Sequence, residues 1–222
     1  MISRLPRWVW LGGAVLASVA GMVNTVSLLG FGHQGISHLT GATTSFSIAL
    51  SHMSSDVFHP LVLILSFILG AMLSGFLIKD SALHLGRQYG SVLLIESSLL
   101  FLSIPLLARG AVLGECLACG ACGLQNAMAT TYSGAILRTT HVTGMFTDVG
   151  MLIGQRLGGV TVDARRLTLC AVVLSGFIAG GAAGAIFFSR WGYRTLLVPA
   201  VLTGLAGGIY NSVLLMRNPD HA

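Results

Sequence analysis

Charge is scarce in this sequence. Its 222 residues include only 12 Lys or Arg and 7 Asp or Glu, 9% in all, against roughly 25% in soluble globular domains. So few charges cannot solvate a surface of this size. That excludes a soluble enzyme, a nucleic-acid-binding domain and a disordered chain. The net charge of +5 comes from basic residues scattered singly or in pairs at segment ends, where they orient helices and meet anionic headgroups. Catalytic signatures are missing as well: no H-E-x-x-H, no G-x-S-x-G, no phosphate loop and no Cys/His nucleophile pair. Cys116, Cys119, Cys122 and Cys170 all lie in apolar segments. Their C-x-x-C-x-x-C run looks like part of an iron–sulfur pattern, but no fourth ligand follows. They read as small core residues, and no cofactor or metal is expected.

What is present is apolar. Hydrophobic residues make up 54% of the chain and glycine occupies 29 positions, for a mean hydropathy of +0.85. Long charge-free intervals separate Arg7 from Asp56, Asp56 from Lys79, Glu115 from Arg138, Arg166 from Arg190 and Arg194 from Arg217. Each can hold the ~20 apolar residues of a membrane-spanning helix. The chain therefore reads as a polytopic membrane protein, all-α, a single membrane domain over 1–222. Arg4 and Arg7 before an apolar run imitate a signal peptide, but the run passes Ala20 and continues through Phe31. A retained first span is the expectation.

Six segments read as ordinary spans: 8–29, 60–78, 89–107, 112–136, 167–188 and 196–216. Two further stretches, 37–53 and 140–155, are helix-length, rich in Ser, Thr and Gly, and short for a crossing. The chain also repeats itself there. Gly21-Met22-Val23-Asn24 corresponds to Gly123-Leu124-Gln125-Asn126, His38-Leu39-Thr40-Gly41 to His141-Val142-Thr143-Gly144, and Thr44 to Thr147. Downstream, Phe67-Ile68-Leu69-Gly70 matches Phe177-Ile178-Ala179-Gly180. Paired Asn, His and Thr at near-equal spacing indicate an internal duplication with halves 8–109 and 110–216.

Basic residues orient the halves. If both Ser/Thr-rich stretches re-enter, or are broken, without crossing, six spans with a cytoplasmic N-terminus leave only Arg109, Arg190 and Arg194 outside and nine basic residues inside. Eight spans give seven against five. The positive-inside rule favours six, and three spans per half make the repeats antiparallel, the inverted 3+3 plan of many transporters and channels.

These motifs, Gly21-x-x-Asn24 with His38-Leu39-Thr40-Gly41 and Gly123-Leu124-Gln125-Asn126 with Thr139-Thr140-His141-Val142-Thr143-Gly144, resemble the YoaK-like family of bacterial inner-membrane proteins (domain of unknown function 1275). The resemblance runs from about Trp8 to Met216. It departs at Asn24, where the family usually has Asp, and at Thr40-Gly41-Ala42, where the family has T-G-N. It implies fold and a multi-pass inner-membrane location, and names no substrate.

Polar groups in hydrocarbon need partners or a hydrated cavity. Asn24 and Asn126 are therefore either interhelical glue, worth about 1 kcal/mol, or a pair lining a pathway. Thr40, Thr44, Ser47 and Ser51 share one helix face, as do Thr143 and Thr147, with Gly41 and Gly144 allowing close approach. Their hydroxyls line a pathway or bond back to their own helix carbonyls. His38 and His141 begin these helices. Asp148, seven residues after His141, is the carboxylate placed within a repeated motif; Glu96 and Glu115 are the other embedded acids, and Glu115 is expected to pair with Arg109. Gly70-Ala71-x-x-Ser74-Gly75 and Gly176-x-x-x-Gly180-Gly181-x-x-Gly184 are packing surfaces, within the protomer or between copies.

The preferred reading is a transporter or channel for a small solute or ion, with a midplane pathway between inverted repeats. Its partners would be the bilayer, that solute and a second copy through the glycine faces. The alternative is a structural or regulatory membrane protein without transport; an intramembrane enzyme ranks third. Reporter fusions near Pro60 and near Arg165 should report opposite sides of the membrane. Finding both on one side would reject the inverted arrangement.

Overall fold

The computed structural model describes residues 7–30, 39–53, 55–79, 86, 88–133 and 138–217. Among them are eight α-helices: α1 Arg7–Gly30, α2 Leu39–Ser51, α3 Phe58–Leu77, α4 Gln88–Leu107, α5 Val112–Ser133, α6 Val142–Leu157, α7 Ala164–Trp191 and α8 Leu197–Arg217. Short 3-10 turns at Ser55–Val57 and Gly192–Leu196 lead into α3 and α8. No described residue lies in a strand. Gly110, in the turn between α4 and α5, has φ +68°, a left-handed conformation that suits glycine.

Four stretches are long and apolar enough to cross a membrane by length and composition: Trp10–Gly30, Phe58–Leu77, Gln88–Leu107 and Ala164–Leu214, the last holding both α7 and α8. α5 fails that measure because it carries Glu115, Gln125 and Asn126, yet it is the most enclosed helix, with 14 of its 22 residues buried. A helix walled off by other helices needs no lipid-compatible surface of its own. Large apolar side chains point outward instead, among them Leu69, Met72 and Phe76 of α3 and Leu205 and Ile209 of α8. Buried Ser74, Glu96, Ser103, Gln125 and Thr203 face inward. Apolar outside and polar inside is the distribution of a membrane protein.

Two helix pairs pack most extensively: α1 against α7 and α3 against α5. Both are close backbone approaches. A Cβ on Gly21 would collide with the carbonyl oxygen of Phe177, and one on Gly180 with that of Ser18. In the other pair, a Cβ on Gly123 would meet the Phe67 carbonyl and one on Gly70 the Gly120 carbonyl. The two glycine surfaces seen in the sequence are thus used inside the protomer. α4 lies against α5 and α8, and Ser97 of α4 donates to the Ala200 carbonyl of α8 at 2.7 Å. The short helices ride outside this frame, α2 on α3 and α6 on α7.

Replacing Gly180 with Leu should lower the thermal midpoint in detergent by the equivalent of about 1–3 kcal/mol or prevent assembly, as overpacking does. Gly75→Ala, whose added Cβ meets nothing within 4 Å, should stay within about 0.5 kcal/mol of the parent. Equal stability of the two variants would contradict the packing described.

Candidate functional site

The polar residues of the repeated motifs converge only in part. A cavity of about 350 Å³ is lined by Leu39 and Thr40 at the start of α2, Phe67 of α3, Asn126 of α5, and Arg138, Thr140, His141, Val142 and Thr143 around the start of α6. Thr40 and Thr143, from different halves of the chain, face the same space. The first residues of both short helices also lie there, so the N-terminal ends of α2 and α6 both border it.

The segment entering α6 is held against α5 by side chains. Thr139 donates its hydroxyl to Gln125 Oε1 at 3.2 Å, and the Thr140 backbone N–H points to Asn126 Oδ1 at 3.5 Å. Gln125 also donates through Nε2 to the Leu16 carbonyl of α1 at 3.1 Å. Gln125 and Thr139 are 1% and 0% exposed, so these bonds form away from water and their loss would strand buried polar groups. Sequence reasoning selected neither as a site residue, although Gln125 adjoins Asn126 and Thr139 lies two residues before His141. Arg138 was missed as a lining residue; its place three residues before His141 was the available signal.

Other selected residues lie elsewhere. Thr44 and Thr147 donate to the carbonyls of Thr40 and Thr143 at 2.9 and 3.0 Å, and Ser47 and Ser51 likewise bond back into α2. Asn24 is half-buried on α1. Gly41 is exposed with open space beside it. A Cβ on Gly144 would overlap the imidazole of His141, which folds back over the first turn of α6. Asp148 is outside the cavity and accepts from Arg166 of α7 at 3.0 Å, both partly exposed; that guanidinium, rather than His141, is its partner. The expected Glu115–Arg109 pair is corrected too. Glu115 pairs with His59 of α3 at 2.9 Å, because α3 packs along α5 whereas Arg109 is exposed in the turn. His38 lies outside the described residues.

A second cavity, of about 570 Å³, follows α2 away from Thr40, lined by Ser45, Ile48, Ala49 and His52 with Asp56, His59 and Pro60. No group of three or more His, Cys, Asp or Glu among the described residues could hold a metal ion. Cys119 donates its thiol to the Leu63 carbonyl, a packing role.

Residues 12–209 match the model of a family described as a protein of unknown function, DUF1275. No curated protein and no solved structure matches.

Gln125→Leu should cost about 1–3 kcal/mol by leaving Thr139 and the Leu16 carbonyl without their partner. In a Thr140→Cys background it should also speed reaction with a water-soluble maleimide, because the segment before α6 loses its hold. Unchanged stability and unchanged labelling would show that Gln125 does not anchor it.

Proposed function

The chain belongs to the DUF1275 family, and on that premise we propose that it is a multi-pass protein of the bacterial inner membrane that moves a small polar solute or ion between two inverted repeats. The observation that carries this reading is the cavity where Thr40 of the first motif and Asn126, His141 and Thr143 of the second meet. Polar groups kept in hydrocarbon from both halves of a chain are most economically explained by a shared hydrated path. The cavity along α2 extends that path towards the end where His59 and Glu115 pair.

Helix pairing supports the repeat. Gly21 against Phe177 has its counterpart in Gly123 against Phe67, and Gly180 against Ser18 in Gly70 against Gly120. Gly21 and Gly123, Phe67 and Phe177, and Gly70 and Gly180 are the positions aligned by sequence alone. Each half thus clasps the other through equivalent residues. Six spans suit the lengths: α2 with 13 residues and α6 with 16 rise about 20 and 24 Å at 1.5 Å per residue, short of a ~30 Å core.

Arg138 and the N-terminal ends of α2 and α6 give the cavity a positive bias, which favours an anion or the negative end of a dipolar solute. A structural or regulatory role without transport is the second reading. It is favoured by the hydroxyls of Thr44, Ser47, Ser51 and Thr147, which are spent on their own helices.

Stopped-flow swelling of proteoliposomes, with formate and nitrate as anionic probes and urea as a neutral one, separates the two. Protein-dependent flux should be abolished by Thr40→Trp and by Thr143→Trp, which fill the cavity, and retained by Gly75→Ala. Flux absent for every probe, or unaffected by both tryptophans, would favour the role without transport.

A further inference from the structure

Glu96 is the ninth of the 20 residues of α4, near the middle of a helix apolar enough to cross the membrane. It is 1% exposed, and its Oε2 has no hydrogen-bond partner. The two ion pairs found among the described residues use Glu115 and Asp148; Glu96 joins neither. Elements packed on α4 are α5, α8, α3 and the Gly192–Leu196 turn. From α5, Cys122 is near enough to interact electrostatically with Glu96. His59 of α3 is committed to Glu115, Tyr193 donates to the Gly30 carbonyl, Arg194 is exposed, and Tyr210 of α8 bonds to the Gly86 carbonyl. A carboxylate among such neighbours would be an uncompensated charge in hydrocarbon. A carboxylic acid would not.

A groove of about 610 Å³ runs between α1, α4, α5 and α8, with almost wholly apolar walls and three tyrosines, Tyr89, Tyr132 and Tyr210, at its lining. It lies where α1 and α8 meet only sparsely, whereas α4 packs closely on α5. Tyr89 and Leu93 line it from α4. Glu96 follows them at helical spacing on the same face, one turn nearer the middle of the helix.

We infer that Glu96 is a proton-exchange site buried within the membrane, reached through this tyrosine-lined groove from the end of the bundle where α4 begins. The ligand is a proton rather than a metal cation. A dehydrated cation needs several oxygen ligands, whereas the neighbouring Ser97 hydroxyl is already given to Ala200 and Cys122 offers sulfur. The inference does not depend on which solute the protein moves, or on its moving any.

The test uses the full chain in lipid vesicles and dicyclohexylcarbodiimide, an apolar reagent that reacts with protonated carboxyls. The acid adds across one C=N bond, its proton passing to nitrogen, and the adduct rearranges to an N-acylurea; no atom is lost, so the labelled peptide gains the mass of the intact reagent. Peptide mapping of the unaltered protein should place the label on Glu96, and Glu96→Gln should abolish it. Gly12 lines the groove, and a Cβ there meets nothing within 4 Å. Gly12→Phe should therefore fill the groove and slow the labelling without unfolding the bundle. Infrared spectra of the unaltered protein should contain the carbonyl stretch of a protonated carboxyl that shifts in D2O, more slowly in Gly12→Phe. An unlabelled Glu96, a band that never shifts in D2O, or labelling indifferent to Gly12→Phe would each overturn the inference. None of these readings requires solute flux, so failure of the transport proposal would leave them standing.

Discussion

Close backbone approach between α1 and α7, and between α3 and α5, is the constraint on which the rest of the structure depends. Lipid tails are as apolar as leucine, so helices in a bilayer gain little from burying apolar surface against each other. What remains is dispersion between tightly apposed backbones, which requires glycine at the crossing points. Gly21, Gly70, Gly123 and Gly180 meet carbonyl oxygens that no larger residue could approach. Held that closely, α3 and α4 wall in α5, and a helix carrying Glu115, Gln125 and Asn126 can sit inside without presenting those groups to lipid.

The short helices follow from this frame. α2 and α6 lean on α3 and α7 and contribute few buried residues, Ala42 in one, Met145 and Leu152 in the other. Because little apolar burial holds α6, polar contacts help to set its position: Thr139 to Gln125 for the approach to it, and Asp148 to Arg166 further along it. Their hydroxyls face outward yet bond inward along the helix, which lets Ser and Thr occupy such helices without a partner on each side.

Helix limits were legible in the sequence because the distribution of charge directly reports where a chain can meet lipid. The stretch read as 60–78 forms α3 at Phe58–Leu77, and 89–107 forms α4 at Gln88–Leu107. The fourth span, read as 112–136, contains α5 at Val112–Ser133, and 134–136 lie outside the described residues. The glycine surfaces were legible too, since small residues at helical spacing have few other uses. Pairings were not. Glu115 and His59 are 56 positions apart, and nothing in a one-dimensional hydropathy pattern selects His59 over the nearby Arg109. Gln125 escaped notice for a related reason: its identity matters only because α1 and the approach to α6 both happen to pass it. Asp148 was singled out as the acid within a repeated motif, but its guanidinium partner lies on α7, beyond that motif.

Gln125 joins three parts of the chain through one amide: it belongs to α5, its nitrogen grips α1 at Leu16, and its oxygen receives Thr139. An amide is planar and stiff, so its two ends cannot move independently. A tilt of α1 relative to α5 either breaks the bond to Leu16 or turns the amide plane, and turning it drags the threonine on the far side. The same side chain therefore ties the placement of the first helix to that of the segment leading into the cavity lining.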